Sequence, residues 1–291
     1  MDIRTIGVMS PGDMGQAIAQ QLKSKGFNVL TALGARSPRT QALGRAAGLT
    51  DVGTVQELVA QCDVILSVMN PGSATDFARE VAAGMRATGK HPVLVDCNAI
   101  APQTMLEIGK LIADAGGRVI DGGIIGPPPR GEAKPRLYLS GPGAEELSVL
   151  STPQLIIRTV GTKIGDASAT KMCFSAMNKG VQSLVTELMV ASHRLGVADA
   201  VAAEFGGKIG EVYRYAAGEL PKMPSKAYRW VPEMREIAKT FEGAGLTPRI
   251  FEGAADIFEF VAQTPLGKET PENRDKSRTG EDVAKLLAAG N

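Results

Sequence analysis

A short apolar strand that breaks at a glycine turn and passes at once into a helix sets the tightest limit on what this chain can fold into. Thr5-Ile6-Gly7-Val8-Met9 leads into Ser10-Pro11-Gly12-Asp13-Met14-Gly15, and then into the helical run Gln16-Ala17-Ile18-Ala19-Gln20-Gln21-Leu22. A helix N-terminus offers unpaired backbone N–H groups and the positive end of its dipole, so it can hold a pyrophosphate. Gly12 would let the backbone approach phosphates, and Gly15 would let the helix pack closely on the strand. The full nucleotide fingerprint is G-x-G-x-x-G. Here Ser10 stands at the first glycine position, so only the last two glycines are in register. The same turn also suits a plain strand–turn–helix of an α/β protein. If it holds a dinucleotide, the residues facing the cofactor are Ser10, Pro11, Gly12, Asp13 and Met14.

The rest of the first half extends the pattern. Strands are expected at 3–9, 28–33, 63–68, 92–97, 118–124, 136–140 and 155–160, with helices at 13–25, 38–47, 55–61, 73–86, 102–115 and 143–149 between them. Continuous apolar strands such as Val64-Ile65-Leu66-Ser67-Val68 suit a parallel sheet covered on both faces. Alternating β and α elements with short connections predict a doubly wound sheet. From Asp166 to Leu195 the chain has no proline, keeps helical periodicity and stops at Gly196, a helix of roughly 45 Å. Further helices are expected at 198–217, 230–243, 247–263 and 280–289. The fold class is therefore α/β, with a Rossmann domain over 1–162 followed by an all-helical domain over 163–291.

Composition narrows the function. Lys plus Arg total 32 against 31 Asp plus Glu, a balance that argues against a nucleic-acid or membrane-surface partner. The chain opens on a strand rather than a leader, and no apolar run approaches the roughly 20 residues of a membrane span, so a cytoplasmic location is expected. Cys62, Cys97 and Cys173 lie apart in apolar contexts and read as buried core thiols. With two histidines, His91 and His193, and no C-x-x-C, no metal site is expected. His91 reads as a solvated loop residue and His193 as a structural one.

Three places line up with the opening turn. After the second strand an NAD enzyme carries an acid for the ribose 2′-hydroxyl, but this chain has Leu33-Gly34-Ala35-Arg36-Ser37-Pro38-Arg39. A guanidinium and a hydroxyl, Arg36 and Ser37, suit a 2′-phosphate instead. NADP is the expected cofactor and NAD the alternative, while a solvated helix start would explain the same arginines. At the later strand ends, Met69, Asn70 and Asn98 stand where α/β sheets bind ligands, and the two amides are placed to orient a nicotinamide or substrate. On the long helix, Lys171, Ser175 and Asn178 are spaced i, i+4, i+7 and share one face. Lys163 and Lys179 read as plain surface lysines.

Together these residues resemble the β-hydroxyacid dehydrogenase family, which includes 3-hydroxyisobutyrate dehydrogenase and the decarboxylating 6-phosphogluconate dehydrogenase. The likeness runs through nearly the whole chain: Gly7, Gly12, Met14 and Gly15, then Asn70-Pro71, Asp96-x-x-x-x-x-Pro102, Gly161-x-x-x-Gly165 and Lys171. The helical half looks most like a divergent branch with a 6-phosphogluconate-dehydrogenase-like C-terminal domain. The resemblance implies a Rossmann domain, a long helix between domains and a helical domain that forms a homodimer. It also implies that Lys171 is the general acid/base, accepting a hydroxyl proton as hydride leaves the same carbon.

Departures from the family pattern bear on the substrate. Ser175 stands where the family usually has asparagine, and Asn178 where 6-phosphogluconate dehydrogenase has a second acid. That second change puts decarboxylation in doubt. The family's D-A-P-V-S-G-G loop corresponds to Asp121-Gly122-Gly123-Ile124-Ile125-Gly126-Pro127, where Ile125 replaces a hydroxyl and Pro127 removes an N–H donor. Ile125, Gly126, Ser175 and Asn178 are the expected substrate contacts, in a pocket more apolar than a small 3-hydroxy acid needs. Ala227, Tyr228, Arg229 and Trp230 are candidates for part of it. The leading reading is an NADP-dependent dehydrogenase or reductase acting on a hydroxy acid or related carbonyl. The alternatives are an imine-reductase-like enzyme and a non-catalytic NADP sensor.

Overall fold

In the computed structural model, which describes residues 2–34 and 36–290, the alternation along the first half becomes one eight-stranded sheet. Its elements are β1 (Thr5–Met9), α1 (Asp13–Ser24), β2 (Asn28–Thr31), α2 (Pro38–Ala46), β3 (Thr50–Asp51), α3 (Val55–Gln61), β4 (Val64–Ser67), α4 (Ala74–Thr88), β5 (Val93–Asp96), α5 (Pro102–Ala113), β6 (Val119–Ile125), β7 (Arg136–Ser140) and β8 (Ile156–Gly161). The strand order is β3-β2-β1-β4-β5-β6-β7-β8. All neighbouring pairs are parallel except β6 with β7. The direction of winding therefore reverses between β1 and β4, the switch point where such sheets open a ligand crevice at their C-terminal ends.

The strand alternation sorts the core. Val64 and Leu66 of β4 join Ile6, Val8, Ile18 and Leu22 in one apolar cluster. Ile65, between them, joins Met9, Phe77, Val81 and Met85 in another. A strand buried on both faces has no polar side, which explains its unbroken apolar run. Ser37 caps α2 by accepting the Thr40 N–H, and Thr54 caps α3 through the Glu57 N–H, each satisfying an orphan donor of the first turn. The helix expected at 143–149 is a 3-10 segment, Ala144–Leu150. The two-residue β3 was not anticipated, being too short and too polar for an alternation signal.

The chain divides into two compact units, Met1–Met172 and Cys173–Asn291. The division falls inside α6 (Asp166–Arg194) rather than ahead of it at 162/163. The second unit continues with α7 (Ala198–Glu204), α8 (Gly207–Glu219), α9 (Pro224–Gly243), α10 (Arg249–Gln263), α11 (Pro265–Lys268) and α12 (Gly280–Ala289). The single helix expected over 198–217 is broken at Phe205-Gly206. The one expected at 230–243 starts earlier, with Pro224 at its first turn, and runs through Pro232. Pro224 suits that first turn because its missing N–H would have no partner there anyway. Ring contacts Phe241–Phe251 and Trp230–Phe258 join α9 to α10. His193 lies 2.9 Å from Glu281, and Arg194 donates to the Leu287 and Ala288 carbonyls, where a cation suits the last turn of α12.

Two expectations about side chains are corrected. Cys62 and Cys97 are buried, but Cys173 is exposed, on the side of α6 that also carries exposed Phe174 and Met177, while Met172, Ser175 and Ala176 take the buried side. Lys179 is buried rather than a surface lysine. It pairs with Glu233 and stands 5.1 Å from the centre of the Trp230 ring, a setting that offsets the cost of burying its charge.

Candidate functional site

The opening turn is built by close approach. A Cβ on Gly15 would lie 2.4 Å from the Ser10 carbonyl oxygen, so no other residue fits there without moving the turn. Above Gly12, by contrast, a Cβ would meet nothing within 4 Å. Gly12 is also the N-cap of α1 and places no side-chain acceptor on its free N–H groups. Open space over unpartnered donors is the cradle that a pyrophosphate requires. Pro11 is buried and lies against α2, its Cγ 3.1 Å from where a Gly44 Cβ would be. Met14 packs on the core. Asp13 sits in the first turn with its carboxylate 3.6 Å from Arg39. A residue outside the expected set joins them: Arg130, from the loop after β6, donates to the Asp13 carbonyl at 3.1 Å. Nothing periodic in the sequence marks Arg130, since its place depends on the path of a loop.

At the end of β2, the Arg36 side chain is mostly buried and lies 3.8 Å from Glu80. Its Nε is buried with no hydrogen-bond partner among the described residues. A buried guanidinium N–H left open in this way fits a phosphate oxygen. The Ser37 hydroxyl is engaged in the α2 cap.

The ends of β1, β4 and β5 are laced together. Ser10 N–H donates to the Val68 carbonyl at 3.2 Å and Cys97 N–H to the Ser67 carbonyl at 2.9 Å. The Asn98 amide is wholly committed. Its oxygen accepts the Met69 N–H at 2.6 Å, and its nitrogen donates to Ser67 Oγ at 2.7 Å and to Asp96 Oδ2 at 2.9 Å. Asn98 is 2% exposed. It is thus a positioning residue for the strand ends, not an amide offered to a ligand, because its hydrogen-bonding capacity is spent. Burial pushes the Asp96 carboxyl up to about 7. Asn70 accepts the Gly72 N–H with its side-chain oxygen, and its amide nitrogen has no partner among the described residues.

Lys171 is brought to β6 by a second close approach. A Cβ on Gly123 would lie 2.9 Å from both the Lys171 Cβ and the Ala167 carbonyl oxygen. The start of α6 is pinned by Asp121, whose Oδ2 accepts the Gly165 N–H at 2.9 Å, the Ser168 N–H at 3.0 Å and the Ser140 hydroxyl at 2.9 Å. Its Oδ1 accepts the Ser168 hydroxyl at 2.6 Å. A carboxylate there satisfies orphan donors and complements the helix dipole. Burial nevertheless raises its pKa. Asp121, Ser140 and Ser168 are thus site-building residues that spacing alone could not have brought together.

The expected substrate residues are placed as follows. Ile125 is 5% exposed and pairs with Arg136 in the sheet, so it is a strand residue. Gly126 is exposed at a turn with φ +122°. In the second unit, Ser175 is 2% exposed, which removes it from an open helix face. Asn178 accepts from Tyr215 Oη at 3.0 Å and from Gln182. It borders an apolar pocket with Phe174, Met177, Val181 and Val212. Trp230 packs edge-on to Phe258 and is a core contact, Ala227 is buried, and Tyr228 is exposed. Among the described residues there is no cluster of His, Cys, Asp and Glu able to hold a metal ion. No helix of the described residues is long and apolar enough to cross a membrane.

Comparison with known proteins adds family to geometry. The profile of the NAD binding domain of 6-phosphogluconate dehydrogenase matches residues 5–164, and a domain of unknown function, DUF1932, matches residues 192–261. A solved conserved protein of unknown function, described as structurally similar to 3-hydroxyacid dehydrogenases, is 31% identical. The match covers 89% of this chain and 96% of that one, with a TM-score of 0.63. The 3-hydroxyisobutyrate dehydrogenase of Mycobacterium tuberculosis has the same fold at 17% identity, covering 99% of both chains with a TM-score of 0.67. The L-threonate dehydrogenase of Cupriavidus necator is 26% identical over 68% of this chain and 64% of its own length.

Proposed function

We propose that this chain, which belongs to the β-hydroxyacid dehydrogenase-like family, is an NADP-dependent oxidoreductase that interconverts a hydroxy acid, or a related alcohol, with its carbonyl. The observation that carries the reading is Lys171, held over Gly123 by a close approach of α6 to β6 on the sheet that carries the nucleotide turn. A lysine amine there can take the hydroxyl proton in oxidation and return it to the alkoxide in reduction. Bound NADP supplies the hydride acceptor, at C4 of its nicotinamide. The N-terminus of α1, with Ser10 to Met14, would hold the pyrophosphate. Arg36, whose Nε is unpaired among the described residues, would hold the 2′-phosphate, with Ser37 serving as the cap of α2 beside it, and Met69 and Asn70 would border the nicotinamide end. The run from Leu33 to Arg39 after β2 carries no carboxylate of its own to claim a ribose 2′-hydroxyl, which favours NADP over NAD. Kinship with an L-threonate dehydrogenase supports hydroxy acids as the substrate class, and a lysine proton carrier favours an alcohol over an imine.

The test uses the purified chain. Reduction of NADP⁺ and NAD⁺ is followed over a panel of hydroxy acids, with NADPH binding measured separately. Lys171→Ala is expected to keep NADPH binding within a few-fold and to lower kcat by about 10²–10⁴. A Lys171→Ala enzyme as fast as wild type would sink the assignment, and a strong preference for NAD⁺ would overturn the Arg36 argument.

A further inference from the structure

We propose that Arg130 is a phosphate-binding residue of the dinucleotide site, acting on the pyrophosphate rather than on the 2′-phosphate; the inference rests on the NADP-dependent reading above. The loop after β6 turns at Gly126, whose φ of +122° only glycine adopts readily. It is stiffened by three successive prolines, Pro127 to Pro129. This path delivers the guanidinium of Arg130 to the first turn of α1, where Nη2 donates to the Asp13 carbonyl. The loop is tied down there. The Gly131 carbonyl accepts from the Gln154 side chain, and Gln154 accepts in turn from Gln21 of α1 at 2.7 Å.

Charge distinguishes this arginine from its neighbours. Arg36 has Glu80 nearby and Arg39 has the Asp13 carboxylate. Arg130 has no carboxylate partner among the described residues. Its bond to Asp13 engages one of five N–H donors. Asp13 places a negative charge in the first turn of α1, where it would repel a phosphate. Arg39 offsets that charge, and Arg130 adds a further cation at the first turn of the helix whose N–H groups a pyrophosphate uses. Arg36, at the end of β2, is the residue placed for the 2′-phosphate.

The division of labour is measurable without turnover, by nicotinamide fluorescence or calorimetry with NADPH and NADH. Arg130→Ala is expected to weaken both cofactors by the same factor, about tenfold or more, with a smaller loss at high salt. Arg130→Lys should recover part of that loss, and Arg36→Ala should weaken NADPH alone. Melting temperatures without cofactor, with Arg130→Gln as a second variant, exclude a folding effect. Wild-type affinity in Arg130→Ala, or a loss confined to NADPH, overturns the pyrophosphate assignment while leaving the NADP reading standing. A wild-type chain that binds neither cofactor overturns both.

Discussion

Asp96 is a carboxylate placed where water cannot reach it, at the end of β5 and under the Asn98 clamp. Asn98 supplies it with a backbone N–H at 2.9 Å and a side-chain N–H, yet burial outweighs both and the proton is held to about pH 7. The unfolded chain releases the same proton near pH 4. Between those values the folded state binds a proton that the unfolded state does not. The stability contributed by this group is therefore fully present below about pH 4 and is lost as the pH rises to about 7. The expected observation is a carbon-13 carboxyl resonance of Asp96 with a midpoint near 7, and a midpoint below about 4.5 would contradict the burial argument. Asn98, Ser175 and Lys179 make a related point. Each residue type was visible in the sequence with a fitting role, but how much of its hydrogen-bonding capacity is already used depends on neighbours distant along the chain.

At the scale of elements, the path of α6 over β6 depends on two features. Asp121 ties down the first turn of the helix, and Gly123 removes the side chain that would keep it away. Gly123→Ala is expected to cost about 1–3 kcal/mol of stability, as overpacking does in a tight interior. It should also lower kcat more than cofactor affinity, since the displaced group is Lys171 and not the nucleotide turn. Denaturant unfolding beside NADPH titration checks this, and an unaffected kcat would show that the close approach does not set the position of Lys171. Most elements were legible beforehand. Burial on both faces writes a continuous apolar run into a parallel strand, and caps such as Ser37 mark helix starts. The sequence was mute where these signals fail: the polar β3, the 3-10 segment Ala144–Leu150, and the break between α7 and α8 at Phe205-Gly206.

At the scale of the molecule, the second unit leaves large apolar side chains in the open. Phe174, Met177 and Leu184 of α6 and Ile209 of α8 are 47%, 68%, 63% and 63% exposed. Exposed apolar area of this kind is characteristic of a protein–protein interface, and we expect a homodimer formed through the helical half. Light scattering with size separation should give twice the 30.5 kDa chain mass. Leu184→Glu with Met177→Glu should shift the mass to the monomer, and a wild-type monomer at micromolar concentration would refute the expectation.

Local sequence determined what depends on neighbours a few residues away: the strand–turn–helix at Ser10 to Gly15, the missing acid after β2, the α/β-then-α order and the candidate lysine. Tertiary structure decided what depends on residues brought together from far along the chain. It joined Asp121 to Ser140, Gly165 and Ser168, used up the Asn98 amide on Ser67 and Asp96, and carried Arg130 to the turn more than a hundred residues before it. The physical reason is range. Periodicity and capping act over one or two turns of chain, whereas desolvation and the saturation of hydrogen bonds are set by whatever the fold packs alongside.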